Sequence, residues 1–120
     1  MRLSDLLCDL YQSFISEDWV NAENLLEKYF SIIDDSSNDK SYLNDYSVGV
    51  KYESLFAYNY SLSCFHLKKY EKAEKLAIRG LDKINYEFQY ENNIHGYDLS
   101  LRLETLVDEI RNRRKMDETR

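Results

Sequence analysis

The stretch Tyr58–Ile84, YNYSLSCFHLKKYEKAEKLAIRGLDKI, decides how this chain folds. In its second half, small and apolar residues recur at helical spacing and share one face: Tyr70, Ala73, Ala77, Gly80, Leu81 and Ile84. A glycine inside a helix costs about 1 kcal/mol relative to alanine, so Gly80 indicates that another helix approaches closely. An apolar segment precedes this helix and ends near Lys68. The stretch therefore predicts a hairpin of two helices.

The same spacing occurs once more, 51 residues earlier in the chain. The earlier set again runs from an aromatic residue through alanine to isoleucine: Trp19, Ala22, Leu26, Tyr29, Phe30 and Ile33. Each copy follows a shorter apolar helix, so the repeated unit is a helical hairpin. Internal repetition of a two-helix unit predicts a solenoid-type stack.

The stretch 54–85 resembles a tetratricopeptide repeat (TPR), in which two antiparallel helices pack through small residues. The resemblance rests on Ser61 in the first helix and on Tyr70, Ala73 and Gly80–Leu81 in the second. Trp19, Ala22 and Phe30 match the second helix of an earlier, more degenerate copy of the repeat. The resemblance implies an all-α, right-handed stack of two hairpins with a C-terminal capping helix.

The chain also departs from the TPR pattern. Lys68 stands where the family has a turn glycine, and Asn85 stands where it has a closing proline. The spacing of 51 residues exceeds the family's 34 by 17. We therefore describe the chain as TPR-like.

We expect one domain, residues 1–120, built of five helices. Its parts are a hairpin over 4–33, a polar loop over 34–45, a hairpin over 46–84 and a capping helix over 98–116. The helices are expected at 4–16, 17–33, 46–67, 70–84 and 98–116, with Ser16 and Asp98 as N-caps of the second and fifth. An apolar stripe is expected to bury the first helix: Leu3, Leu6, Leu7, Leu10, Tyr11, Phe14 and Ile15. A similar stripe is expected to bury the fifth: Leu99, Leu103, Leu106, Val107 and Ile110.

The composition is that of a globular chain: 43% of the 120 residues are hydrophobic, 22 are acidic and 16 are basic. No apolar run approaches the roughly 20 residues that span a bilayer. Acidic residues interrupt the apolar pattern of the N-terminus, which argues against a signal peptide. Cys8 and Cys64 are expected to be buried, reduced thiols. These features predict a cytoplasmic protein that does not associate with membranes.

Catalytic and metal-binding patterns are weak. Cys64 and His66 are two positions apart on a helix, so they point to different sides and cannot act as a nucleophile and its base. Glycine-rich phosphate loops, HExxH and CxxC are absent from the sequence. Spacing by four makes Glu87, Glu91 and His95 a weak candidate metal set. We expect a protein that is not an enzyme and that holds no cofactor and no metal.

Nucleic-acid binding finds limited support. A basic stripe runs along the fourth helix: Lys68, Lys72, Lys75, Arg79 and Lys83. A second basic run, RNRRK, occupies 111–115, where it could serve as a nuclear-import signal or as a solvated helix end. A sequence pI of about 4.9 argues against a nucleic-acid partner. We expect the stripe to be a solvated face paired with Glu71 and Asp82.

Protein binding is the function that the sequence favours, by one of three routes. In the TPR family the first helix of each hairpin lines a groove, which here implies a partner-binding face of Leu55, Tyr58, Asn59, Leu62, Phe65 and His66. An adaptor or chaperone would hold a peptide or helix there, with the aromatic residues as anchors.

Charge distribution supports the other two routes. Residues 1–53 carry 11 acidic and 4 basic side chains, whereas residues 54–120 carry 11 and 12, so the net charges are −7 and +1. A small inhibitor, such as an immunity protein or antitoxin, would block a basic active site with an acidic surface: Asp5, Asp9, Glu17, Asp18, Glu23, Glu27, Asp34 and Asp35. Opposed charges could also drive self-association into a homo-oligomer, or simply neutralise each other within one monomer. Salt should weaken acidic blocking steeply and groove binding little.

Overall fold

A computed structural model of the chain describes residues 3–34, 53–87 and 94–118, with side chains described at 5–31, 53–84 and 98–117. These ranges hold five α-helices and no strand, so the all-α prediction is confirmed for this part of the chain. The helices are α1 Leu3–Ile15, α2 Trp19–Asp34, α3 Glu53–His66, α4 Tyr70–Glu87 and α5 Ile94–Glu118.

The helices belong to two compact units, Met1–Tyr52 and Glu53–Arg120. The first unit contains the hairpin of α1 and α2. In the second unit α4 packs against both α3 and α5, and α3 also reaches α5. The expected single domain and the TPR-like, right-handed stacking of the two hairpins stay predictions.

The two hairpins close through the same kind of turn. In the first, the Asp18 N–H donates to the Ser13 carbonyl over 2.8 Å. In the second, the Lys69 N–H donates to the Cys64 carbonyl over 2.9 Å. A hydrogen bond that reaches back five residues past a helix end is typical of the Schellman motif, which satisfies carbonyls that the helix leaves unpaired. The sequence repeat thus extends from the apolar stripe into the backbone of the turn.

An aromatic pair spans each turn at equivalent positions. The rings of Phe14 and Trp19 meet edge to face with centroids 5.3 Å apart. Those of Phe65 and Tyr70 lie 6.0 Å apart. Such pairs contribute about 0.5–1.5 kcal/mol beyond the area that they bury. Each pair ties the last turn of one helix to the first residue of the next, which gives Trp19 its place at the helix crossing.

One residue in each turn adopts the left-handed conformation. Glu17 has a φ of 55° and Lys68 a φ of 63°. Side chains with a Cβ are strained there by about 1–2 kcal/mol, which is why helices commonly end on glycine. Lys68 is also the position where the TPR family has its turn glycine. The chain therefore keeps the backbone of a glycine turn without the glycine.

Replacing either residue with glycine should stabilise its hairpin. We expect Glu17→Gly and Lys68→Gly each to raise the free energy of unfolding by about 1 kcal/mol, because the left-handed strain disappears. Urea unfolding measures both, with fluorescence of Trp19, the single tryptophan, for the first unit and far-UV circular dichroism for the whole chain. The matched control is Lys28→Gly, at an exposed position inside α2. This substitution should lower the free energy of unfolding by about 1 kcal/mol. A loss with Glu17→Gly equal to that control would contradict the assignment of strain to the turn.

Small residues let α4 pack closely on both neighbours. A Cβ at Gly80 would lie 3.1 Å from both δ carbons of Leu103 on α5 and 3.4 Å from the Cβ of Ala57 on α3. The buried Ser61 hydroxyl of α3 donates to the Ala73 carbonyl of α4 over 2.6 Å. These contacts confirm that Gly80 marks a close helix approach. The expected stripe of α5 is also confirmed, because Leu99, Leu103, Leu106, Val107 and Ile110 are all buried.

The start of α2 differs from the prediction. The helix begins at Trp19 rather than at residue 17, because the left-handed Glu17 cannot belong to its first turn. Its cap is Asp18, whose Oδ1 accepts a hydrogen bond from the Asn21 N–H over 3.1 Å. The predicted cap, Ser16, instead donates its hydroxyl to the Gln12 carbonyl of α1 over 2.7 Å.

The start of α5 also differs. The helix begins at Ile94 rather than at residue 98, so His95 and Gly96 belong to its first turn. Asp98 is not a cap but an exposed residue of the helix, and its carboxylate pairs with Arg102 one turn later at 3.0 Å. The predicted parts that lie outside the described residues are the loop after Asp34 and the beginning of the third helix over 46–52.

Candidate protein-binding surfaces

The face expected to form a groove is only partly open. Leu55 and His66 are exposed, whereas Tyr58, Asn59, Leu62 and Phe65 are half-buried. Tyr58 packs against the buried cluster formed by α4 and α5, and Phe65 lies against the ring of Tyr70. Two of the expected aromatic anchors therefore contribute to packing within the second unit.

A different apolar surface is exposed on α1. Leu7, Tyr11 and Ile15 expose 41%, 66% and 61% of their surface. Steps of four residues place them along one face of the helix over about 12 Å, and we call this set the α1 stripe. Val20, next to the first residue of α2, is 57% exposed as well. The stripe was expected to be core, and that expectation is wrong for these three residues.

A buried polar contact explains why α1 turns these side chains outward. The Ser13 hydroxyl is buried, accepts a hydrogen bond from Asn21 Nδ2 over 2.7 Å and donates to the Asp9 carbonyl over 2.9 Å. The face that packs is therefore centred on Leu6, Leu10 and Ser13, one side of the wide apolar arc. The sequence signal was available, because a serine and an asparagine flank the turn at a spacing that lets them meet.

Cys8 comes directly after Leu7 and is exposed, although both thiols were expected to be buried. Cys64 lies in the core of the second unit. The two residues belong to different units, and both remain thiols. An exposed thiol beside the stripe offers a labelling position on this face.

The first unit exposes most of its predicted acidic surface, although Asp5 and Asp9 lie about 160° round α1 from Leu7, on the opposite face from the α1 stripe. Of the predicted acidic surface, five residues are exposed: Asp5, Asp9, Glu17, Asp18 and Glu27. Glu23 is only 5% exposed, which corrects its assignment to the outer surface. The side chains of Asp34 and Asp35 lie outside the described residues. Between residues 5 and 31 the described side chains include six carboxylates and a single cation, Lys28.

The basic stripe of α4 is engaged within the second unit. Glu53, a buried residue at the start of α3, receives Arg79 at 3.4 Å and Lys83 at 3.7 Å. The stripe was expected to be a solvated face paired with Glu71 and Asp82, whereas these two cations reach a buried carboxylate on another helix. Because Glu53 belongs to a different helix from Arg79 and Lys83, local spacing gave no indication of the contact.

Two further lysines of the stripe also have partners. Lys75 pairs with Glu71 at 3.4 Å across one helical turn, as expected. Lys72 lies over the ring of Tyr60, with its Nζ 4.9 Å from the ring centroid. A stripe whose charges are met by a carboxylate or an aromatic ring from the same unit presents less positive potential to phosphates than its sequence indicates.

The C-terminal basic run is held by a carboxylate of α4. The Arg111 Nε donates to Glu74 Oε2 over 3.0 Å, and Arg114 lies 3.6 Å from Glu74 Oε1. Two residues of RNRRK thus join the end of α5 to the beginning of α4. The run is nevertheless largely exposed, as expected of a solvated helix end, with 56% of the Arg111 side chain and 42% of the Arg114 side chain accessible. The partners lie on different helices, beyond the reach of helix periodicity.

Tyr70 adds a polar contact at the same end of the unit. Burial raises the pKa of its hydroxyl above the ordinary 10.0, and the charge of Asp117, which accepts a hydrogen bond from that hydroxyl, raises it further. Arg113 opposes the shift. The protonated hydroxyl is therefore the form that the folded unit favours.

The stability of the chain should reflect this shift at alkaline pH. Because the folded-state pKa lies above the unfolded value, the contribution is complete below about pH 10 and is lost as the pH rises through the folded pKa. We expect the wild-type free energy of unfolding to fall more steeply than that of Tyr70→Phe between about pH 9 and pH 11. Urea titrations at fixed pH measure the two slopes, and Asp117→Asn should give an intermediate one. Parallel slopes in wild type and Tyr70→Phe would contradict the assignment.

Metal and membrane features can be stated for the described residues only. Among them, His, Cys, Asp and Glu side chains form no group of three or more that could hold a metal ion. The set of Glu87, Glu91 and His95 considered above lies outside the described side chains. In the ranges that the structure covers, every helix is too short or too polar to cross a bilayer.

Comparisons with protein-family models, curated proteins and solved structures find no match to this chain.

Proposed function

We propose that this chain is a non-catalytic protein-interaction domain that binds a partner protein through its helical surface. The observation that carries the proposal is the α1 stripe, in which three large apolar side chains remain exposed along one helical face. Exposed apolar surface is unfavourable in an isolated molecule, and contiguous patches with a polar rim mark interaction sites. The shared turns of the two hairpins and the small-residue contacts of the second hairpin support the TPR-like architecture, and TPR domains bind proteins.

Two of the three routes to protein binding draw on features of the structure. An adaptor or chaperone would use an apolar face, which α1 provides more openly than the expected groove on α3. An inhibitor such as an immunity protein or antitoxin would use carboxylates, and five of the expected ones are exposed on the first unit. The exposed thiol of Cys8 suits a reducing compartment, which supports a cytoplasmic location.

Affinity capture from the native cell extract tests the proposal, with the partner identified by mass spectrometry. The baits are wild type, Tyr11→Asp on the α1 stripe and the matched control Leu101→Asp, because Leu101 is a 46% exposed apolar residue of α5. We expect a partner that Tyr11→Asp loses and Leu101→Asp retains. Recovery of the bait alone, in an extract that expresses the protein naturally, would contradict partner binding and point to self-association.

Salt distinguishes the two routes within the same experiment. A partner that elutes when the salt is raised favours charge-based inhibition, since exposed charges are screened over about 10 Å at 0.1 M. A partner retained at high salt favours an apolar contact. A partner that Leu55→Asp loses but Tyr11→Asp retains would indicate that the binding face lies on α3, as the sequence predicted.

A further inference from the structure

We propose that the second unit binds a short acidic segment of a partner protein at the end where α4 begins and α5 finishes. The inference goes beyond the proposed function, because this surface belongs to a different unit from the α1 stripe and takes a ligand of different chemistry. We call the surface the cationic end. It consists of the cations in the α3–α4 turn and in the last turns of α5: Lys68, Lys69, Arg111, Arg113, Arg114 and Lys115.

Two contacts bring the α3–α4 turn to the end of α5. Tyr70 directly follows the turn, and its hydroxyl donates to Asp117 on α5, where the charge of Arg113 also acts on it. Glu74, one turn further along α4, meets two arginines of α5 at 3.0 and 3.6 Å. The cations of the turn and those of α5 are therefore held at one end of the unit before any ligand binds.

The charge of this end is opposite to that of the chain. Segments 68–75 and 111–117 carry eight cations and three carboxylates, a net charge of +5 in a chain whose total is −6. The arginines and the lysine of α5 project in several directions, but they span only about 6 Å along the helix axis. Exposed charges act over about 10 Å at 0.1 M salt, so a ligand at this end meets their combined potential. The cationic end therefore attracts an anionic ligand.

The backbone of this turn does not require cations. The first hairpin has the same turn with Glu17 and Asp18 at the equivalent positions, and the Asp18 carboxylate caps α2. Lys69 stands at the capping position of α4 without an acceptor in its side chain, and Lys68 has a left-handed φ of 63°. Cations at the start of a helix also oppose its dipole. Residues that break several local rules at once are expected where a surface has a function.

The ligand that fits this surface is short. A nucleic-acid strand or an anionic bilayer would extend beyond the cationic end toward the rest of a chain with net negative charge, which would repel it. A protein segment with several Asp or Glu residues confines its charge, since about six extended residues cover 20 Å. Arginine suits carboxylates because its planar fork donates two parallel hydrogen bonds. Among the described residues, Arg111 engages Glu74 through Nε alone, so its Nη groups remain for a ligand.

Titration of the complete chain with charge-matched probes tests the inference. One probe is a fluorescein-labelled peptide of about twelve residues in which Glu alternates with Ser, and its neutral control has Gln in place of Glu. The other is a labelled single-stranded oligothymidine with the same number of negative charges. We expect fluorescence polarisation to show the tightest binding for the acidic peptide and none for the neutral one. Raising the salt from roughly 0.05 to 0.2 M should weaken the binding.

Matched variants locate the binding. Lys68→Gln with Arg113→Gln should weaken the acidic peptide about tenfold, since each exposed charge pair contributes modestly in water. Lys28→Gln with Arg102→Gln removes the same charge from two exposed cations outside the cationic end and should leave binding unchanged. Lys68→Gly removes one of the charges while relieving the strained turn. Weaker binding by this variant, in a chain that should be more stable, separates the loss of charge from a loss of fold.

Several results would overturn the inference. They are no binding of the acidic peptide, and equal weakening by the two double variants, which would assign the binding to overall charge. Tighter binding of the oligothymidine than of the peptide would make nucleic acid the ligand. A wild-type oligomer that Lys68→Gln with Arg113→Gln dissociates in sedimentation experiments would make the acidic first unit of a second copy the occupant. The proposed function is tested separately, because a partner captured through Tyr11 does not depend on the cationic end.

Discussion

Gly80→Val will lower the free energy of unfolding by about 3 kcal/mol, the upper end of what overpacking usually costs. Gly80 lies where α4 meets both of its neighbours, and a Cβ there would already approach the two δ carbons of Leu103 to 3.1 Å. Leu103 is fully buried and cannot swing into solvent. Valine adds two further carbons to a space that does not accept the first without a shift. Urea unfolding of the whole chain, followed by far-UV circular dichroism, measures the loss.

Smaller and compensating changes identify the cause. Gly80→Ala should gain about 1 kcal/mol from helix propensity but lose more from the close contact with Leu103. We therefore expect the free energy of unfolding to fall by only about 1 kcal/mol. In a Leu103→Val background, which lacks both δ carbons, the same alanine should become stabilising. Lys75→Val, at an exposed position of the same helix, controls for β-branching and should cost less than about 1 kcal/mol. Additive effects of Gly80→Ala and Leu103→Val would contradict a direct clash.

The periodicity of α4 and α5 was sufficient to predict their buried faces. Small and apolar residues recur there without interruption, and a helix that packs on its neighbours along its length must bury that face. Gly80 was informative for the same reason, since a costly residue inside a helix needs a close neighbour. The internal repeat also identified two hairpins whose turns have the same backbone, although stacking of the hairpins stays a prediction.

The face of α1 could not be predicted from periodicity alone. Its apolar arc is wider than one partner helix covers, so the pattern does not say which side is buried. The answer depends on the contact between Ser13 and Asn21, which fixes the rotation of the helix. The sequence also could not show whether the aromatic residues of α3 form the expected binding surface. Such residues are equally suited to line a groove and to pack on a neighbouring helix.

Long-range charge pairs were the other feature that the sequence left undetermined. Glu74 on α4 meets two arginines of α5, and Glu53 on α3 meets two cations of α4. Helical spacing pairs only side chains that are three or four positions apart on one helix. The basic stripe therefore looked solvated in sequence, whereas tertiary packing gives most of its charges a partner inside the unit.

Loss of both cations beside Glu53 should destabilise the chain by about 3 kcal/mol. The Glu53 side chain is only 6% exposed, and Arg79 and Lys83 lie 3.4 and 3.7 Å from its two oxygens. Among the described residues nothing donates a hydrogen bond to Glu53 Oε2, and Lys83 Nζ lies 3.7 Å from that oxygen. Arg79→Met with Lys83→Met leaves a buried carboxylate without compensation, which costs about 3–5 kcal/mol where both partners are buried. We expect the lower end because both cations are partly exposed.

Removing the buried carboxylate, instead of the two partly exposed cations, provides the decisive control. Glu53→Gln leaves Arg79 and Lys83 able to turn toward water, so it should cost only about 1 kcal/mol. Added to the double cation variant, Glu53→Gln should recover most of the lost stability, because no buried charge remains. Lys75→Met removes an exposed cation of the same helix and should change the free energy of unfolding by less than about 0.5 kcal/mol. If the triple variant is no more stable than the double one, the loss comes from the packing of the two side chains against α3 and not from the buried carboxylate.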